Sequence, residues 1–220
     1  MEQRTHAARP WLRRDERFGK EEHYEWFKDY SHFRHLLAPL LSPSLSVLEV
    51  GCGNSRLGEE LLREGVTGGV TCIDLSPVAV QRMRDRLAEQ GTSGVDVVVA
   101  DMLDLPFESD SFDLVIEKGT MDVLFVDSGD PWNPNPTTVD NVTKMLEGIH
   151  KVLKPDGKFV SITFGQVWEI QLSESLFHAL HLSSLLYFRR VSLHVPMISS
   201  FWVCGYVICA LYISTSSVPN

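Results

Sequence analysis

Val47-Leu48-Glu49-Val50-Gly51-Cys52-Gly53-Asn54-Ser55 is followed, after a helical stretch, by Val70-Thr71-Cys72-Ile73-Asp74-Leu75. The first run is an apolar segment, of the kind that forms a strand buried on both faces. It ends in glycines, where the chain turns sharply and its backbone can approach a ligand closely. The second run ends in an acid, placed to accept hydrogen bonds from ribose hydroxyls. Together they predict a β–α–β crossover that binds a nucleoside.

Further alternation extends the pattern. A helix is expected around Arg56–Glu64, and Ser76-Pro77 supplies a hydroxyl cap with proline in the first turn of a helix ending near Gln90. Strands are expected at Val95–Ala100, Phe112–Glu117 and Lys158–Phe164. A helix from Val139 to Leu153 stops at Lys154-Pro155-Asp156-Gly157. This rhythm predicts an α/β fold with a doubly wound, mainly parallel sheet of the Rossmann-like type. Ahead of it, Tyr24, Phe27, Tyr30, Phe33, Leu36, Leu37 and Leu40 recur at helical spacing. They predict one or two helices that pack on a sheet edge or cover a pocket.

Composition limits the partners. The chain has 220 residues, enough for one well-packed domain, and a net charge of -9. That balance argues against a nucleic-acid backbone as the main partner. The four cysteines, Cys52, Cys72, Cys204 and Cys209, have neither zinc-knuckle spacing nor a disulfide framework, so no metal is expected and a cytoplasmic setting is the default. The basic residues Arg4, Arg9, Arg13 and Arg14 lack a following apolar core, so no secretory signal is read there.

The site residues follow from the strand ends. A dinucleotide turn places a small residue at the third glycine position, and here that position is Arg56, which disfavours NAD or FAD. Glu49 two residues before Gly51 gives acid-x-Gly-x-Gly, a pattern common in S-adenosylmethionine sites, with Gly51 and Gly53 near the methionine part. Asp74 then suits the ribose and Asp101-Met102 the adenine. Each acid has a bland alternative, a helix cap or a surface loop, but three consecutive strand ends bearing Gly, Asp and Asp favour the site. Lys118, in Ile116-Glu117-Lys118-Gly119-Thr120-Met121-Asp122, is either a cofactor contact or an exposed lysine. Trp26 falls off the main apolar stripe and is a candidate cofactor or substrate contact. Nine acids against one base between Asp101 and Asp130 read as a solvated face or as a rim for a cationic acceptor.

Residues 15 to 166 resemble the class I, seven-strand S-adenosylmethionine-dependent methyltransferases. Within them the likeness is to the lysine methyltransferases of translation elongation factor 1-alpha. The resemblance is carried by Glu25-Trp26-Phe27, Gly51-Cys52-Gly53-Asn54-Ser55, Glu117-Lys118-Gly119-Thr120-Met121-Asp122 and Val152-Leu153-Lys154-Pro155-Asp156-Gly157-Lys158-Phe159. It implies that Trp26, Gly51, Asp74, Leu75, Asp101, Met102 and Lys118 contact the cofactor, and that a protein lysine, on elongation factor 1-alpha, is the acceptor. No catalytic base is assigned. Two departures stand out. Arg13-Arg14 occupies the place of a Tyr-Trp pair, and the likeness ends at Val167.

Three segments are therefore expected: a basic flank at 1–17, a cofactor-binding domain at 18–166, and an atypical apolar tail at 167–220. The tail is expected to supply no further strands, which leaves the sheet incomplete at its C-terminal edge. Residues 191–213 carry no formal charge apart from His194 and are long enough to be a membrane-span candidate. The Gln166–Val167 junction is compatible with a splice donor, so a truncated isoform with a translated intron is one expectation. The alternative functions are a catalytically impaired form, a tail-anchored non-enzymatic product, or an NAD-type oxidoreductase. The acceptor lysine, the number of methyls and the oligomeric state are not specified by the sequence.

Overall fold

The computed structural model describes residue 15 and residues 28–126, 128–130, 133–163, 187–192 and 207–214. Its strands are β1 (Val47–Val50), β2 (Val70–Asp74), β3 (Val95–Val99), β4 (Phe112–Lys118), β5 (Gly129–Asp130), β6 (Asn133–Pro134), β7 (Leu153–Thr163), β8 (Tyr187–Ser192) and β9 (Val207–Ser214). Its helices are α1 (Tyr30–Leu37), α2 (Leu57–Arg63), α3 (Pro77–Glu89), α4 (Met121–Leu124) and α5 (Pro136–Val152), and a single 3-10 turn, Ala38–Leu40, follows α1.

The main sheet has the order β3-β2-β1-β4-β7-β9-β8, while β5 and β6 form a small separate hairpin. From β3 to β7 neighbouring strands are parallel, and β9 is antiparallel to both β7 and β8. All four residues of β1 are buried, as expected of a strand covered on both faces. The chain passes outward from β1 through β2 to β3, then returns to β4 on the other side of β1. Ligands bind at the carboxyl ends of the strands at such a switch point.

Local chemistry starts each helix. Asp29 accepts the Ser31 N–H at 3.0 Å and caps α1, whose Tyr30, Phe33, Leu36 and Leu37 face the core. Ser76 accepts the Ala79 N–H at 3.2 Å with Pro77 at the first turn of α3. Asn135 does the same for Thr138 at 2.9 Å ahead of α5. One apolar layer joins α1, α2 and α3 to the sheet through Phe33, Leu37, Leu61 and Met83. The other joins α5 through Val142, Met145, Leu146 and Ile149. Each of these fully buried side chains contributes about 1.5–3 kcal/mol of hydrophobic stabilisation. At the free edge, Arg84 of α3 donates to the Val97 carbonyl of β3 through Nε at 2.9 Å and Nη2 at 2.5 Å.

The doubly wound, mainly parallel sheet is the expected one, and helix and strand bounds fall within a few residues of those read from sequence. Pro155-Asp156-Gly157 differs. It lies within β7 as an irregularity, with Leu153 opposite Phe112 and Lys158 opposite Leu114, and Asp156 has a φ of 67°.

The tail also differs. β9 pairs with β7 from Lys158↔Ser214 to Thr163↔Cys209, and β8 pairs with β9. Two strands therefore do follow β7, so β7 is not an edge, and among the described residues the sheet ends at β3 and β8. The membrane-span candidate 191–213 contains the end of β8 and all of β9 but Ser214, and no helix among the described residues is long and apolar enough to cross a membrane. The rest of that candidate, 193–206, lies outside the described residues.

Candidate active site

The carboxyl ends of β1, β2 and β4 converge. After β1 the chain turns through Gly51 and Gly53, with φ of 71° and 50°, a region that L side chains rarely occupy. Gly51 and Cys52 both donate to the Ile73 carbonyl, at 2.8 and 2.9 Å, tying this turn to β2. A Cβ at Gly51 would lie 2.1 Å from Thr120 Oγ1, so the turn is also packed against the loop after β4.

Asp74 is held from both sides. Its Oδ2 accepts the Gly53 N–H at 2.8 Å and its Oδ1 accepts the Ser76 N–H at 2.8 Å. The carboxylate is thereby fixed between the glycine turn and the start of α3. Leu75 beside it is 49% exposed, an unusual state for a large apolar residue in this core-rich region. Ser76 also donates to the Asp15 carboxylate, linking the N-terminal flank to this point. Asp101 lies in the turn after β3 and accepts the Leu103 N–H at 2.9 Å, with Met102 half-buried beside it.

Beneath the turn, Glu49 is buried and accepts the Ser55 hydroxyl at 2.7 Å and the Cys72 thiol at 3.3 Å. From α3, Arg86 pairs with Glu59 at 2.8 Å and donates to the carbonyls of Asn54 and Ser55 at 3.1 and 2.6 Å. Backbone oxygens that a short loop would leave unpaired are satisfied this way. Burial, with Glu49 adding to it, pushes the Cys52 and Cys72 thiols well above their ordinary range, so neither is an activated nucleophile.

At the end of β4, Glu117 is fully buried. One oxygen accepts the Thr120 and Met121 N–H groups at 2.9 and 3.1 Å; the other accepts the Ser161 hydroxyl. Burial, then the charge of Asp122, raises its pKa to about 7, although the three hydrogen bonds oppose the shift. Lys118 is also buried, not an exposed surface lysine. Gly119 donates to the Ile162 carbonyl at 2.8 Å.

The structure thus brings Gly51, Gly53, Asp74 and Leu75 together. Asp101 and Met102 follow the adjacent strand β3, and Lys118 ends β4, next to β1. Trp26 lies outside the described residues. Sequence reading missed Glu117, Thr120, Ser161 and Arg86 as builders of the site. It also missed Gly58, where a Cβ would come 3.0 Å from Cys72 Sγ. The close helix–strand approach sought at position 56 is met two residues later. Among the described residues no group of three or more His, Cys, Asp or Glu could hold a metal ion.

The model of the methyltransferase domain family matches residues 41–195. The chain belongs to that family. EEF1A lysine methyltransferase 4 of Mus musculus is 41% identical over 140 residues, 64% of this chain and 54% of that protein. The Bos taurus protein of the same name is 40% identical over 153 residues, 70% of this chain and 59% of that one. This methyltransferase-domain chain therefore spans just over half the length of these curated relatives. Among solved structures, a SAM dependent methyltransferase from Aquifex aeolicus aligns with a TM-score of 0.62 at 16% identity, covering 91% of this chain and 98% of that one. A SAM-dependent methyltransferase from Methanosarcina mazei aligns with a TM-score of 0.55 at 20% identity, over 81% and 95%. At these identities the structural likeness concerns the fold.

Proposed function

We propose that this methyltransferase-domain chain uses S-adenosylmethionine to methylate a lysine side chain of a protein, with translation elongation factor 1-alpha as the acceptor. The observation that carries the reading is the convergence of the Gly51–Gly53 turn with the doubly anchored Asp74 at the carboxyl ends of β1 and β2. The names of the two mammalian relatives supply the acceptor.

The residues present fit the cofactor. Two positive-φ glycines bring backbone close to the site, a fixed carboxylate suits a diol, and an exposed Leu75 offers an apolar contact for a base. In this reading Gly51 and Gly53 lie along the methionine part, Asp74 binds the ribose, and Leu75, Asp101 and Met102 border the adenine. Lys118 and Trp26 complete the set. When bound, S-adenosylmethionine supplies an electrophilic methyl group. The chain's own work is to align a deprotonated lysine amine and to exclude water. Glu117 is not a base in this scheme, because both of its oxygens are engaged and it is fully buried.

Residues 18–166 carry this pocket in our reading, flanked by 1–17, and within 167–220 the described strands β8 and β9 extend the sheet. A cytoplasmic setting agrees with the free, buried thiols of Cys52 and Cys72. The test is calorimetric titration with S-adenosylmethionine, followed by transfer of labelled methyl to purified elongation factor 1-alpha. Asp74→Asn is expected to weaken cofactor binding by about 10- to 100-fold, the scale of a lost charge-assisted hydrogen bond, while the fold persists. Absence of saturable binding by the wild-type chain overturns the reading.

A further inference from the structure

The ends of β1 and β4 meet at one side chain. Thr120 Oγ1 donates to the Val50 carbonyl at 3.0 Å and lies 3.3 Å from the Gly51 carbonyl. Its Oγ1, Cγ2 and Cβ occupy the space beside Gly51, at 2.1, 2.5 and 2.8 Å from where a Cβ there would stand. The Thr120 backbone is itself held from below, because its N–H and that of Met121 both end on the buried Glu117. Glu117 in turn accepts the Ser161 hydroxyl of β7, while the Gly119 N–H donates to the Ile162 carbonyl of the same strand. The loop that follows β4 is thus fastened to β7 on one side and to the glycine turn on the other.

We propose that Thr120 is a positioning residue that keys the loop after β4 to the Gly51 turn, with Glu117 fixing the Thr120 backbone. This deepens the function proposed above and rests on it. In that reaction the methyl donor lies against the Gly51 turn and the acceptor enters past the end of β4. A loop free to drift relative to the turn would misalign the two reactants, and small misplacements are costly in a displacement reaction. The hydroxyl supplies directionality, and hydroxyl and methyl together fill the volume that glycine leaves open, the oxygen lying nearer. Threonine alone among the coded residues supplies both groups on one β-branched carbon.

Two substitutions separate these contributions in the full chain. Thr120→Val keeps the shape and removes the hydrogen bond; Thr120→Ser keeps the bond and removes the methyl. Calorimetry with S-adenosylmethionine, thermal melting, and initial methyl-transfer rates at saturating and limiting cofactor are compared. Thr120→Val is expected to weaken cofactor binding about fivefold, the size of one ordinary hydrogen bond, and to lower kcat as well. Thr120→Ser is expected to melt earlier yet bind and turn over close to the wild type. Wild-type affinity in Thr120→Val overturns the proposal. So does affinity that simply follows melting temperature in both variants, since that is the signature of packing alone. A wild-type chain that does not bind S-adenosylmethionine removes the underlying function first, and the keying role with it.

Discussion

The two ends of the parallel sheet are built on different principles. At the amino ends of β1, β4 and β7, Asp113 Oδ2 accepts the Ser46 N–H at 2.9 Å and its hydroxyl at 2.7 Å, and pairs with Lys154 at 2.9 Å. All three partners are partly exposed and every contact joins neighbouring strands, while two positive-φ residues that are not glycine, Asp110 and Asp156, flank the cluster. At the carboxyl ends, Glu49, Asp74 and Glu117 accept backbone and hydroxyl groups around glycine turns, and two of these acids are buried. The amino end is an inexpensive staple. The carboxyl end carries buried acids, a cost that a fold sustains where a site requires a fixed shape.

Four substitutions would break or sharpen this contrast. The largest effect is expected at the carboxyl end. Gly51→Ala places a Cβ onto Thr120 in a left-handed conformation, so a loss of about 2–4 kcal/mol in stability and loss of cofactor binding are expected. Denaturant melts and calorimetry on the same sample check both.

Glu117 comes next, and its signature is pH. Its folded pKa, about 7, lies above the ordinary glutamate value of 4.5, so the folded state holds the proton more tightly than the unfolded state. Its favourable contribution is therefore complete below pH 4.5 and fades as pH rises through 7. The span is on the order of 3 kcal/mol. Glu117→Gln should flatten the decline in urea midpoint between pH 5 and pH 8, about the same interval. An identical slope in wild type and variant would contradict the buried, protonated carboxyl.

At the amino end, Asp113→Ala should cost about 1–3 kcal/mol by stranding the Ser46 groups. Cofactor affinity should stay unchanged, and an altered affinity would erase the division between the two ends. Burial raises the Asp113 pKa, but the Ser46 and Lys154 hydrogen bonds outweigh it and leave it lowered. Its stabilisation is thus present above the unfolded pKa and disappears as pH falls through the folded one. The smallest effect is expected for Lys154→Met, under about 1 kcal/mol, because the pair is partly solvated. Thermal melting at low and high salt measures it.

Much of the carboxyl end was legible because its signals are local. β1 is a four-residue apolar run ending in glycine, and Ser76-Pro77 marks a helix start within two residues of Asp74. What escaped the sequence is what depends on distant pairing. Thr120 and Val50 are 70 residues apart, and Ser161 and Glu117 are 44 apart, so no local pattern announces either bond. Glu117 looked like one acid of a polar rim; only burial reveals it as a support for the loop. β8 and β9 escaped for another reason. The apolar β9 has no distinguishing period, β8 interrupts its apolar residues with Arg189 and Arg190, and strand and membrane segment draw on the same residues.

Arg84 has a consequence for the chain in crowded solution. Among the described residues β3 is the margin of the sheet, and Val99 on it is 46% exposed. An uncovered strand of valines offers a template on which a second molecule can add its own strand. The guanidinium that holds the Val97 carbonyl occupies one acceptor in that template and sets a positive charge beside it. The molecule thereby carries its own guard against self-association at the margin its parallel topology leaves unpaired.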